Sequence, residues 1–110
     1  GKCLLAFQDS NRQDRIINTL DYTPKTPTSI PSPALLKIEL AKIRVQGWAF
    51  DDSEGESEIR CVACPVFDQA GILRGAISIV GARSKFTDEF IKRVVQCAKD
   101  CAKDIGNELI

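Results

Sequence analysis

Apolar residues recur at helical spacing over residues 11–20 and 33–46, and again in a long segment that begins at Phe86. Between the last two helical patterns lie apolar runs typical of β-strands, at residues 48–50, 59–67 and 72–80. The sequence therefore predicts a small sheet flanked by helices, with a long helix at the C-terminal end.

Capping residues mark where these helices begin and end. Ser32 followed by Pro33 is a typical N-cap and first helical residue, and Gly47 is a typical C-terminal stop. Thr87 is the predicted N-cap of the last helix, and the acidic residues after it complement the positive helix end. The prolines within residues 22–33 predict a loop, either ordered or mobile, before the second helix.

Composition and charge exclude several kinds of chemistry. The 110 residues are enough for one domain and too few for two. Fifteen basic residues balance fifteen acidic ones, which argues against nucleic-acid binding by these residues. The absence of histidine removes Ser–His–Asp triads, Cys–His dyads and histidine-ligated metals. Because we find neither a membrane-length apolar run nor a secretion signal, we expect a cytoplasmic protein with no membrane partner.

The cysteines allow more than one interpretation. There are five, at positions 3, 61, 64, 97 and 101, and an odd count does not suit a secreted disulfide framework. A zinc site built from Cys61, Cys64, Cys97 and Cys101 is one possibility. However, residues three apart in a strand point to opposite faces, and residues four apart on a helix fit its apolar stripe. The spacing therefore favours small buried apolar side chains, and we expect no metal and no cofactor.

Residues 59–67 and 72–80 are joined by a turn and predict a hairpin. A turn centred between Gln69 and Ala70 gives three cross-strand pairs on one face, namely Cys61 with Ser78, Ile59 with Val80 and Ala63 with Ala76. Small side chains beside polar ones can form a hollow that admits a ligand, and Asp51 could face it from the preceding strand. The alternative is that these small side chains simply fill a tight core.

Four segments of the chain, in this order, are similar to a known family. They are GK-x-LLA at residues 1–6, GWAFDD-x-E at 47–54, IRCVACPVFD at 59–68, and Gly71 followed by AISI at 76–79. Together they resemble the IclR-type (isocitrate lyase regulator) bacterial transcription factors, and the resemblance covers essentially the whole chain.

The resemblance implies an α+β fold of the GAF/PAS-like (profilin-like) kind, in which helices flank a curved antiparallel sheet. In that family an N-terminal winged helix-turn-helix binds operator DNA, and a C-terminal effector-binding domain binds a small metabolite, often an organic or aromatic acid. Residues 1–110 would be the C-terminal two-thirds of the effector-binding domain, with the DNA-binding domain not in this chain. The implied protein is a regulator that forms homodimers or tetramers, and not an enzyme.

The resemblance also implies ligand contacts at Asp51, Cys61 and Ser78. The residues expected to line the pocket around them are Ile59, Ala63, Ala76 and Val80. Val80 stands where the family often has a second serine, so a hydroxyl donor is lost, and Glu58 stands where a glycine is usual. The main alternative function is a GAF-like redox sensor or enzyme that uses Cys61 or Cys64 as a reactive thiol.

Overall fold

A computed structural model of residues 1–110 contains four helices and one sheet. The elements are α1 (Lys2–Ala6), α2 (Ser10–Thr19), α3 (Pro33–Gln46), β1 (Ala49–Asp52), β2 (Ile59–Phe67), β3 (Leu73–Ala82) and α4 (Asp88–Glu108). The three strands are antiparallel in the order β1–β2–β3, so the predicted α+β class is confirmed. None of the helices combines the length and the apolar character that crossing a bilayer requires.

Local capping interactions explain the bounds of the two longest helices. The Ser32 hydroxyl accepts a hydrogen bond from the Leu35 amide at 3.3 Å at the start of α3. Gly47 ends α3 in the left-handed conformation, with φ of +86°. At the start of α4, the Thr87 hydroxyl accepts a hydrogen bond from the Phe90 amide at 3.3 Å. All three predicted caps are therefore confirmed.

Two clusters of buried apolar side chains lie on opposite sides of the sheet. Helices α1–α3 and β1 enclose the first, which consists of Cys3, Leu5, Ala6, Ile17, Leu36, Leu40, Ile43 and Ala49. Helix α4 and β2 enclose the second, which consists of Val62, Cys64, Val66, Phe86, Ile91, Val94, Ala98 and Ala102. Each face of the sheet therefore has its own apolar packing, and alternate residues of β2 belong to different layers.

The proline-rich loop between α2 and α3 is anchored to the turn between β1 and β2. The Thr28 hydroxyl donates a hydrogen bond to the Asp52 carbonyl at 2.6 Å, and the Ser29 hydroxyl donates one to the Glu54 carbonyl at 2.6 Å. These bonds satisfy carbonyl groups at the end of β1 and in the turn that follows it. Of the two forms that the sequence left open, the structure has the ordered one.

The hairpin register differs from the predicted one by two residues. The observed pairs are Ile59 with Ala82, Cys61 with Val80, Ala63 with Ser78 and Pro65 with Ala76. The predicted pairs were wrong because the turn is longer than two residues and because β3 carries one extra residue. In the turn, the Asp68 amide donates to the Ile72 carbonyl at 2.9 Å, and Gly71 has φ of +78°. The bulge lies opposite the step from Val66 to Phe67.

The two-residue shift preserves the face on which each side chain lies, because side chains alternate with a period of two. Cys61, Ala63, Ser78 and Val80 therefore still share one face of the sheet. What changes is the neighbour: the Ser78 hydroxyl lies diagonally across from the Cys61 thiol instead of directly opposite it.

Glu58, where the resembling family usually has glycine, has a left-handed backbone with φ of +66°. This conformation costs an L-residue about 1–2 kcal/mol, whereas glycine adopts it freely. The position also closes the end of the hairpin, because the Glu58 carbonyl accepts a hydrogen bond from the Arg83 amide at 2.7 Å. The backbone geometry is thus the physical reason for a glycine preference at this position.

We expect Glu58→Gly to raise the free energy of unfolding by about 0.5–1 kcal/mol, since relief of backbone strain outweighs the greater freedom of glycine in the unfolded chain. Urea denaturation of the variant and the parent protein measures the difference. Glu56→Gly is the matched control, because Glu56 is an exposed residue of the same turn without positive φ. A Glu58→Gly variant that is no more stable than Glu56→Gly would contradict the strain argument.

Candidate ligand-binding site

Strand pairing brings two of the three predicted ligand contacts together. Asp51 in β1 lies directly opposite Cys61 in β2, and Ala49 lies opposite Ala63. Ser78 in β3 lies opposite Ala63, so its side chain is on the same face as Asp51 and Cys61. The three residues are thus contributed by three adjacent strands and face one side of the sheet.

A cavity of about 80 Å³ lies over this face. Its lining residues are Gly1, Lys2, Cys3, Ala49, Asp51, Cys61 and Ala63. Of the predicted residues, Asp51, Cys61 and Ala63 line the cavity, whereas Ser78, Ile59, Val80 and Ala76 do not. On β3, Ala76, Ser78 and Val80 are exposed, with Val80 at 61%. Helix α1 lies near this face of β3 but leaves these three side chains open to solvent, and Ile59 is half-buried.

One oxygen of the Asp51 carboxylate accepts a hydrogen bond within the chain, and the other is free to accept one from a ligand. Its Oδ1 accepts a hydrogen bond from the Glu54 amide at 2.8 Å, which shapes the turn after β1. Its Oδ2 makes no hydrogen bond within the chain. The carboxylate can therefore accept a hydrogen bond from a ligand hydroxyl without giving up its role in the turn.

The Cys61 thiol is held in its neutral form. Burial raises the pKa of Cys61 above its usual value, the neighbouring Ser78 hydroxyl opposes this rise, and the nearby Asp51 carboxylate adds to it. Burial likewise raises the pKa of Cys64. A neutral thiol is a weak hydrogen-bond donor and a poor nucleophile. The alternative function based on a reactive Cys61 or Cys64 is therefore not supported.

Lys2 and Cys3 form a wall of the cavity, and neither residue is among those predicted from the hairpin. The Lys2 ammonium lies 2.6 Å from Glu54 Oε2 and 3.6 Å from Glu39 Oε1. Burial raises the pKa of the Glu54 carboxyl, although the bond to Lys2 opposes that rise. Cys3 is buried, and its pKa is raised to about 11, chiefly by burial. Lys2 is the one basic side chain that lines this cavity.

Cys61, Cys64, Cys97 and Cys101 do not lie close enough together to form a zinc site. Cys61 and Cys64 lie on opposite faces of β2, and no three Cys, Asp or Glu side chains are grouped closely enough to hold a metal ion. The expectation of buried thiols is confirmed for Cys3 and Cys64 and is wrong for Cys97 and Cys101, which are exposed. The reason lies in the phase of α4, in which Ala98, Ala102 and Gly106 face the sheet instead.

Comparison with known proteins identifies the family. The family model described as "Bacterial transcriptional regulator IclR C-terminal" matches residues 1–107. The chain belongs to the IclR family. In Escherichia coli (strain K12), the uncharacterized HTH-type transcriptional regulator RhmR is 44% identical over 109 residues, which are 99% of this chain and 42% of that protein. This chain thus spans less than half the length of the curated relatives that it matches.

Solved structures of IclR proteins agree with the fold. The Thermotoga maritima IclR structure superposes with a TM-score of 0.91 at 38% identity, covering 98% of this chain and 44% of that one. The C-terminal domain of the Escherichia coli transcriptional regulator KdgR has a TM-score of 0.87 at 31% identity, covering 96% of this chain and 64% of that one. The relatives are transcriptional regulators, in agreement with the expectation that the chain is not an enzyme.

Proposed function

We propose that this chain is the ligand-sensing part of an IclR-type regulator, which binds a small organic or aromatic acid and thereby changes operator binding. Operator DNA would be bound by a winged helix-turn-helix domain, corresponding to the part of the relatives that this chain does not cover. The assembled regulator would be a cytoplasmic homodimer or tetramer. Its signal requires that the ligand bind one quaternary arrangement more tightly than another.

The observation that carries this proposal is the convergence of Asp51, Cys61 and Lys2 on one cavity. Asp51 would accept a hydrogen bond from a ligand hydroxyl, and the Cys61 thiol would donate weakly to a ligand oxygen. Ser78 would donate a second hydrogen bond from the open side of the same sheet face. Lys2 supplies positive charge for a carboxylate, although it shares that charge with Glu54 at 2.6 Å.

The size of the cavity predicts weak binding by this chain alone. A volume of about 80 Å³ is far below the roughly 300–1,000 Å³ that is usual for small-molecule pockets, so the cavity encloses only a small part of an acid. We expect the 110-residue chain to bind small acids with a dissociation constant of about 1 mM or weaker, measured by NMR titration. Micromolar affinity at the Asp51 cavity would contradict this expectation.

Ligand class and site are tested together by titrating a panel of hydroxy, keto and aromatic acids and comparing variants. Asp51→Asn keeps an oxygen acceptor for the Glu54 amide, so it tests the carboxylate charge without removing the turn. Ser78→Ala tests the hydroxyl. We expect each variant to weaken binding of the best acid by about tenfold, the loss typical of one hydrogen bond to a charged group.

Asp104→Asn and Ser84→Ala are the matched controls, because both residues are exposed and lie outside the cavity. They are expected to leave binding unchanged. An acid whose binding is insensitive to both Asp51→Asn and Ser78→Ala would remove the proposed site. A panel in which no acid binds would remove the proposed ligand class.

A further inference from the structure

A second, larger cleft lies at the free edge of β2, away from the Asp51 cavity. Strand β1 pairs with β2 only as far as Ala63, so the rest of β2 has no neighbouring strand on that side. The cleft has a volume of about 350 Å³, and its lining residues are Phe7, Gly47, Cys64, Pro65, Phe67, Lys99, Ala102, Lys103 and Asn107. It shares no lining residue with the Asp51 cavity.

The walls of this β2-edge cleft are largely apolar. Phe7 and Phe67 pack edge to face, with ring centroids 5.5 Å apart and an angle of 85° between their planes. Pro65 and the buried Ala102 complete the apolar surface, and the Cys64 side chain, 1% exposed, lies beneath it. The volume is within the range of about 300–1,000 Å³ that is usual for small-molecule pockets.

Two unpaired positive charges flank the same cleft. Lys99 and Lys103 are one turn apart on α4, so both lie along one side of it. Neither lysine forms an ion pair or a side-chain hydrogen bond within the chain, and no Asp or Glu lines the cleft. Burial keeps the pKa of Cys64 raised even though Lys99 lowers it, so the thiol is neutral and does not offset the lysines.

An apolar hollow bordered by two free cations is complementary to a molecule with an apolar body and one negative end. We propose that the β2-edge cleft binds a small monocarboxylate with an aromatic or branched aliphatic body. The body would lie against Phe7 and Phe67, and the carboxylate would lie between the ammonium groups of Lys99 and Lys103. This site is separate from the proposed sensing site and does not depend on it.

The proposal is tested with benzoate as the probe and benzyl alcohol as an uncharged molecule of similar shape. Both are titrated into the protein while backbone amide signals are followed by NMR. Benzoate is expected to shift the amides of Gly47, Phe67 and Asn107, and to bind more tightly than benzyl alcohol. Added salt should weaken benzoate binding and leave benzyl alcohol unaffected, because the lysines are exposed and their charges are screened.

The double variant Lys99→Gln/Lys103→Gln is expected to weaken benzoate binding by about tenfold, the sum of two exposed charge contacts, without changing benzyl alcohol binding. Lys92→Gln is the matched control, because Lys92 is an exposed lysine of the same helix outside the cleft. All three substituted lysines are exposed, and an unaltered spectrum of each free variant verifies the fold.

Three results would overturn the proposal. Benzoate could shift the amides around Asp51 and Cys61 and leave those of the cleft unchanged. The double lysine variant could bind benzoate as tightly as the parent protein. The cleft signals could instead depend on protein concentration and not on benzoate, which would show that a second copy of the chain occupies the surface.

Discussion

Replacing Gly106 with alanine is expected to destabilise the protein by about 2–3 kcal/mol. An alanine Cβ at this position would clash with the Phe67 carbonyl oxygen and lie 3.3 Å from its carbon. These are backbone atoms at the end of β2, so no side-chain rotation can relieve the contact. Either α4 must move away from the sheet or β2 must bend, and both changes disturb the packing of Ala98 and Ala102.

The sign of this effect distinguishes it from ordinary helix propensity. At an exposed position inside a helix, glycine to alanine stabilises by up to about 1 kcal/mol. Urea denaturation therefore distinguishes the two cases. The free energy of unfolding should fall if the added Cβ meets β2 and rise if the position is open. Gly55→Ala is the control: no atom lies within 4 Å of its added Cβ, and the change should stay within about 0.5 kcal/mol. A Gly106→Ala variant more stable than the parent would show that α4 does not approach β2 this closely.

The helices could be predicted because their signals are local. Ser32, Pro33 and Gly47 satisfy backbone groups within a few residues of themselves, so the sequence alone determines where α3 begins and ends. Thr87 does the same for α4. The burial of Gly106 could not be predicted in this way. Glycine is common near the ends of helices. At position 106 it is required because the Phe67 carbonyl, which is distant in sequence, lies close to the helix.

The candidate site was predictable in part, for reasons that follow from strand geometry. The side-chain period of two places Asp51, Cys61 and Ser78 on one face, and a register error of two residues leaves that face unchanged. The direct neighbours of Cys61 were predicted wrongly because a bulge in β3 has no clear sequence signal. The wall formed by Lys2 and Cys3 comes from a helix about fifty residues away, and no local pattern connects it to β2.

Glu58 departs from the family pattern, and the structural effect of this departure is explained by the backbone conformation and not by the sequence. The family resemblance implies that a glycine is usual there but not what a glutamate does to the turn. The left-handed φ of +66° supplies the reason, since it is the conformation that glycine tolerates best. The acidic side chain itself makes no ion pair in the structure. Its effect should therefore be on stability and not on ligand binding.

Leu40→Ala is expected to lower the free energy of unfolding by about 2–5 kcal/mol, the range for removing a large side chain from a well-packed core. Leu40 is 1% exposed and lies in the cluster that joins α1, α2 and α3. Of these, α1 has only five residues and cannot be stable as an isolated helix, so its position depends on packing against α3. Since α1 carries Lys2 and Cys3, the same substitution should loosen one wall of the Asp51 cavity.

Hydrogen exchange separates this specific effect from general destabilisation. In Leu40→Ala, amides of α1 should exchange faster by more than those of α4, because α4 packs in the other cluster on the opposite face of the sheet. Ile38→Ala is the matched control: it removes a branched aliphatic side chain from the same helix at a position that is 66% exposed, and should change stability by less than about 0.5 kcal/mol. Equal losses for the two variants would mean that α3 buries a different face from the one that supports α1 and the cavity.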